Sequence, residues 1–147
     1  MTRNVTCTVY NYTGQYFYVD SDQTNVWNGK EKLNPQTITS TEDLQNLFSY
    51  EKTTGSLVGV TGKVVYQFGN NTFLQISFNN PYTQIVHDSQ YNYCLCFYYA
   101  GITNVSAVNI PGYKVVCAVE TNGNSWDPTN TYEVTDLSAT IYIYNND

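Results

Sequence analysis

The sequence predicts an all-β protein: an antiparallel β-sandwich of roughly eight to ten short strands, with at most one or two short helices. Residues 1–147 read as one domain, with no internal repeat or linker. Three observations predict this. Apolar and polar residues alternate with a period of two in one segment after another. Clusters of Gly, Asn and Pro separate those segments at short intervals. The composition favours strands, with 15 tyrosines among 147 residues and only 12% charged, about half the usual charged share.

In chain order, Val5, Cys7 and Val9 oppose Thr6, Thr8 and Tyr10 in a first strand. A glycine turn leads into "TGQYFYVD". The stretch "NVWNGKE" places Trp27 among turn residues, where a core Trp is not expected. "STEDLQNLF" admits two readings: a helix opened by a capping box of Ser40 and Asp43, or a strand through Leu47, Phe48 and Tyr50. "SLVGVTGKVVYQF" is a long strand with Val58, Val60, Gly62, Val64, Tyr66 and Phe68 on one face, and Gly59 and Gly62 inviting a bend or bulge. "GNN" then makes a hairpin turn, and Leu74, Ile76 and Phe78 continue the apolar face on the return. Residues 79–91 read as a hairpin loop of unusual length, both polar and aromatic, where such loops usually take two to five residues. Tyr91, Tyr93, Leu95, Phe97 and Tyr99 form the next face. "YKVVCAVE" and "SATIYIYN" complete the series, and "NGNSWDPTN" places Trp126 among turn residues.

The totals narrow the function. A net charge of −6 argues against a nucleic-acid partner, which calls for a basic surface. It argues equally against simple electrostatic capture by anionic lipid. No apolar run approaches ~20 residues, so no helix is expected to span a bilayer. The opening "MTRNVTCTVYNYTG" has no signal-peptide core. The expectation is a protein that stays in the cytoplasm of the producing cell or leaves by a non-classical route. Cys7, Cys94, Cys96 and Cys117 follow no zinc spacing. They read as buried thiols, with a Cys7–Cys117 disulfide as the alternative.

Chemistry is sparsely provided. His87 is the single histidine, there is no G-x-S-x-G elbow, no phosphate-binding glycine loop and no metal-ligand cluster. No catalytic residue, metal or cofactor is assigned, and an enzyme is the disfavoured class. Binding is the better reading. A tyrosine ring stacks on a sugar face, attracts a choline head group through its π-cloud, or sits at the head-group level of a bilayer. Most of the tyrosines belong to the sandwich itself. Tyr82, which follows a proline in a loop, and the turn residues Trp27 and Trp126 stand apart from that set.

The run "TTGSLVGVTGKVVYQFGNNTFLQISFNNPY" resembles the central hairpin of the actinoporin-like cytolysins. The opening "NVTCTVYNYTGQ" is similar to that family's first core strand and its Asn-x-(Ser/Thr)-Gly turn, and "DLSATIYIYN" to its last strand. The wider fold group includes the aegerolysins and the mushroom fruit-body lectins, which this chain looks more like in length and acidity. The resemblance implies that the loop after Pro81-Tyr82 faces a membrane and helps bind lipid head groups. Asn79, Pro81 and Tyr82 match the loop entry, with Asn79 where a head-group serine usually stands. Where actinoporins carry aromatics, this chain has Val86, His87 and Gln90, and Tyr91 alone keeps a ring. No amphipathic segment of helical period precedes the first core strand, where actinoporins carry their pore-forming helix.

The function expected is therefore a toxin- or lectin-like membrane-binding protein. It would recognise a lipid head group or cell-surface glycan through Asn79, Pro81, Tyr82, His87, Tyr91, Trp27 and Trp126. Asn79 and Asn80 would offer amide groups to phosphate or hydroxyl oxygens. Cytolysis would proceed with a protein partner, as with some aegerolysins; self-association into a homo-oligomer is left open. A self-sufficient pore former that inserts a hairpin is the second reading.

Overall fold

The structure is a computed structural model that describes residues 4–53, 60–80, 93–98, 105–122 and 136–146. Among these the secondary structure is all β: β1 (Asn4–Asn11), β2 (Tyr18–Val19), β3 (Asn25–Asn28), β4 (Lys30–Leu33), β5 (Gln45–Glu51), β6 (Val60–Gly69), β7 (Thr72–Asn80), β8 (Tyr93–Tyr98), β9 (Val105–Ile110), β10 (Gly112–Asn122) and β11 (Asp136–Asn146). One sheet has six strands in the order β4-β5-β1-β11-β10-β9. The other has five, β2-β6-β7-β8 with β3 also on β6. Their inner faces pack on each other, which is the sandwich the alternation predicts.

The inward residues are those the period of two selects. Val5, Cys7, Val9 and Asn11 point inward from β1, and Leu137, Ala139, Ile141 and Ile143 from β11. Val60, Val64, Tyr66, Leu74, Ile76 and Phe78 face them from the hairpin β6–β7. That hairpin turns through Asn70-Asn71, with Asn71 at φ 55°, a conformation asparagine tolerates well. Cys7 and Cys117 are both buried and form no disulfide, as the free-thiol reading expects. Burial, and then the neighbouring Cys117, push the Cys7 thiol well above its usual range. Both thiols are expected to resist an alkylating reagent in the native protein and to react on unfolding; rapid labelling without denaturant would contradict this.

One open reading closes and two expectations change. "STEDLQNLF" takes its strand reading: β5 carries Leu47, Phe48 and Tyr50 into the core. Ahead of it, the Gln45 side chain accepts from Thr39 N and Oγ1 at 2.8 Å each and donates to Thr39 O at 3.0 Å, which ties down the loop where a helix cap was an option. Trp27 is in a short strand, β3, rather than a turn, because β3 lies against β6 with Val26 opposite Gly62. Finally, β7 and β8 are parallel, with Leu74 opposite Tyr93 and Asn79 opposite Tyr98. The link between them is therefore a crossover and not a hairpin loop. Parallel neighbours need about a dozen residues to return to the starting end, so topology alone accounts for the length that looked unusual. β1 and β11 are likewise parallel.

Gly62 makes the β3 docking possible. A methyl group added there would lie 2.8 Å from both Asn25 O and Val26 Cα, closer than backbone can tolerate. Gly62→Ala is expected to push β3 outward and to cost about 1–3 kcal/mol of stability, measured by chemical denaturation. Unchanged stability would mean that β3 is not held this closely.

Two buried tyrosines set an alkaline limit. Tyr66 donates to Gln36 O at 2.7 Å, and burial holds its hydroxyl well above the usual value. Burial, with Glu31 second, pushes Tyr50 up to about 12. Both groups hold their proton more tightly when folded. Their contribution is fully present below the ordinary tyrosine pKa of about 10 and is lost as pH rises through the folded values. Melting temperature is expected to fall steeply from about pH 10 upward, together with the rise of tyrosinate absorbance.

Candidate functional site

One end of the sandwich gathers the features that point to binding. β7 ends there at Asn80, β6 begins there at Val60, and the two residues face each other. In the other sheet Asn4 lies opposite Asp136 and Glu51, and Asp136 lies opposite Asn122 at the end of β10. A side-chain bond joins the two sheets at this point: Asn80 Nδ2 donates to Asn4 O at 3.1 Å. Asn4 Nδ2 in turn donates to Asp136 Oδ1 at 2.9 Å. The chain leaves β7, β8 and β10 at this end, because Asn80, Tyr98 and Asn122 are the last residues of those strands and all register with it.

Trp27 belongs to the same end. Asn28 is opposite Thr61, which is opposite Asn79, so the indole projects about one residue from the level of Asn79. It is 55% exposed. At the next residue but one, Gly29, the chain passes from one sheet to the other, since β3 pairs with β6 and β4 with β5. Gly29 has φ 119° and lies 3.2 Å from Glu51 O, measured from where a Cβ would stand. Only glycine fits both conditions. The corner it makes brings Lys30 to Glu51, with Lys30 Nζ 3.3 Å from Glu51 Oε1.

Of the residues singled out from sequence, the structure brings Asn79 and Trp27 to one end. Pro81, Tyr82, His87, Tyr91 and Trp126 lie outside the described residues. Asn80 departs from its expected role. It is fully buried and its amide donor is committed to Asn4 O, so it offers no group to a solvent-borne ligand. Its Oδ1 and that of Asn4 are buried without a partner among the described residues. Asn4 and Asp136 escaped sequence reasoning because they meet across 132 positions of chain.

Among the described residues, several tyrosines serve the sandwich. Tyr10 stacks on Tyr142 at 5.5 Å and Tyr12 on Tyr144 at 5.4 Å, on the outer face of the six-stranded sheet at the opposite end. Their faces are occupied by each other. Such cross-strand pairs stabilise a sheet and leave Trp27 as the exposed indole among the described residues.

The same fold occurs in a lipid-binding protein. The chain matches the crystal structure of "lipid binding protein Nakanori" with a TM-score of 0.55, over 96% of this chain and 70% of that one. At 14% identity the likeness is one of fold. It agrees with the fold group to which the strand motifs point. No family model matches the chain, and no curated protein matches it in sequence.

Proposed function

We propose that the protein is a membrane-surface recognition module, toxin- or lectin-like, that binds a lipid head group or glycan at the Asn79–Trp27 end. The observation that carries this reading is Trp27. A large amphipathic ring stands exposed on a short strand, at the end where β7 runs into residues 81–92. Exposed indoles favour the head-group level of a bilayer. The shared fold with a lipid-binding protein supports it. Within this reading Asn79, Pro81, Tyr82, His87 and Trp126 line the same surface, and lysis requires a protein partner.

The test is co-sedimentation with vesicles of phosphatidylcholine alone or with sphingomyelin or glycosylated ceramide. Trp27→Ala is expected to weaken binding about tenfold, the effect of burying one large apolar side chain, with an unchanged melting temperature. Binding that survives the substitution would remove Trp27 from the site.

Insertion of the hairpin β6–β7 as a self-sufficient pore is set second. That hairpin supplies Val60, Val64, Tyr66, Leu74, Ile76 and Phe78 to the core, so insertion would require the sandwich to open. Dye release from vesicles by the protein alone would reverse this order.

A further inference from the structure

Beneath the β3–β4 corner lies an open cleft of about 530 Å³ between the two sheets, a size typical of small-ligand sites. Its floor is Tyr50, which is 3% exposed and has no hydrogen-bond partner among the described residues, although it borders the cleft. Tyr50 is held in place by Phe78, stacked at 5.7 Å, and by Phe48 at 5.9 Å. Glu31 stands on the wall, with the side chains of Ser21, Asn25 and Asn34 around it and the apolar surfaces of Val26 and Pro35 between. The wall is built in advance. Asp20 Oδ1 accepts from the backbone N–H of Asp22 and Gln23 at 3.1 and 3.3 Å. Thr24 Oγ1 donates to Asp20 O at 2.8 Å and accepts from Val65 N at 3.0 Å. Asn34 Oδ1 is taken by Gln36 Nε2 at 3.0 Å, which leaves its N–H groups as donors.

We propose that this cleft binds a hydroxyl-rich neutral group, a hexose, either free or as the head group of a glycolipid. The lining decides the class. Among the described residues no lysine or arginine borders the cleft. Lys30 and Lys32 alternate with Glu31 along β4 and are drawn to Glu51, at 3.3 and 4.0 Å. An anion would face Glu31 with nothing to neutralise it. A quaternary ammonium would satisfy Glu31 but supplies no acceptor to the Tyr50 O–H at the floor of the cleft, which would give up water without gaining a partner. A sugar hydroxyl donates and accepts at once. It can serve Tyr50 and Glu31 together, while the ring C–H faces cover Val26 and Pro35.

The inference deepens the binding reading above by naming a ligand class for a cleft beside Trp27, and it fails separately. Methyl glycosides of glucose, galactose, mannose and N-acetylglucosamine are titrated into the full chain, with binding followed by NMR. Choline chloride and inorganic phosphate serve as chemical controls. At least one glycoside is expected to bind. Tyr50→Phe and Glu31→Gln are each expected to weaken it about five- to tenfold, the loss of one hydrogen bond to a buried or charged group. Tyr50→Phe removes a hydroxyl without a partner among the described residues, so it is expected to melt no lower than the parent, which separates lost binding from lost fold. Glycosylceramide vesicles distinguish the sources: binding to them, abolished by Tyr50→Phe, assigns a glycolipid head group, and binding to free glycosides alone assigns a soluble glycan. Binding of choline or phosphate instead of sugar, no binding to any glycoside or glycosylceramide, or sugar binding unaffected by both substitutions would overturn the proposal. Vesicle binding that depends on Trp27 but not on Tyr50 would overturn it while leaving the membrane reading intact.

Discussion

Phe78→Ala is expected to lower the free energy of unfolding by about 3–5 kcal/mol, the usual cost of deleting a fully buried ring. Phe78 is 1% exposed and joins both sheets. It lies 5.4 Å from Phe48 and 5.7 Å from Tyr50, both on β5 of the other sheet. The lost ring leaves a cavity at the inter-sheet seam, because strands paired on both sides cannot close over it. Urea denaturation measures the loss. The same cavity removes the surface on which Tyr50 stacks, so hexose affinity is expected to fall as well, even at temperatures where the variant is fully folded. A loss below about 1 kcal/mol would mean that the seam repacks and that Phe78 is not what positions Tyr50.

Asn11→Ala is expected to cost about 3 kcal/mol, through hydrogen bonds instead of packing. Asn11 is fully buried. Its Nδ2 donates to Gln15 O at 2.7 Å and to Thr39 O at 2.8 Å. Its Oδ1 accepts from Thr13 N at 3.1 Å and Thr13 Oγ1 at 2.7 Å. One amide thus closes the turn 11–15, whose Gly14 has φ 76°, and fastens it to the loop between β4 and β5. Alanine abandons all four partners, two of them carbonyl oxygens in a site with little room for water. Because Asn11 lies at the far end of β1 from Asn4, vesicle and hexose binding per folded molecule are expected to be unchanged. A variant that binds poorly while fully folded would show coupling between the two ends that the geometry does not suggest. Thermal melts of Asn11→Ala beside Thr13→Ala, which removes fewer bonds, check the order of the losses.

The alternation of Val5, Cys7 and Val9, or of Leu137, Ala139 and Ile141, determined by itself that these segments are strands and which side of each is buried. A strand shows its two faces to its surroundings by a local rule, so a local pattern suffices. The same holds for the turn at Asn70-Asn71 and for the burial of Cys7 and Cys117. Tertiary structure alone decided what depends on who pairs with whom. Nothing in residues 79–91 signals that β7 and β8 run parallel, so locally a crossover reads as an overlong hairpin loop. "STEDLQNLF" left helix and strand open until the pairing of β5 with β1 and β4 chose between them. Trp27 among Asn and Gly residues looked like a turn, until Gly62 let β3 dock on β6 at backbone contact distance. Tyr50, Glu31 and Asn34 belong to separate segments, and nothing local marks them as one cleft. They meet because the Gly29 corner carries the chain from one sheet to the other, and a meeting of that kind is set by long-range packing, on which no window of sequence reports.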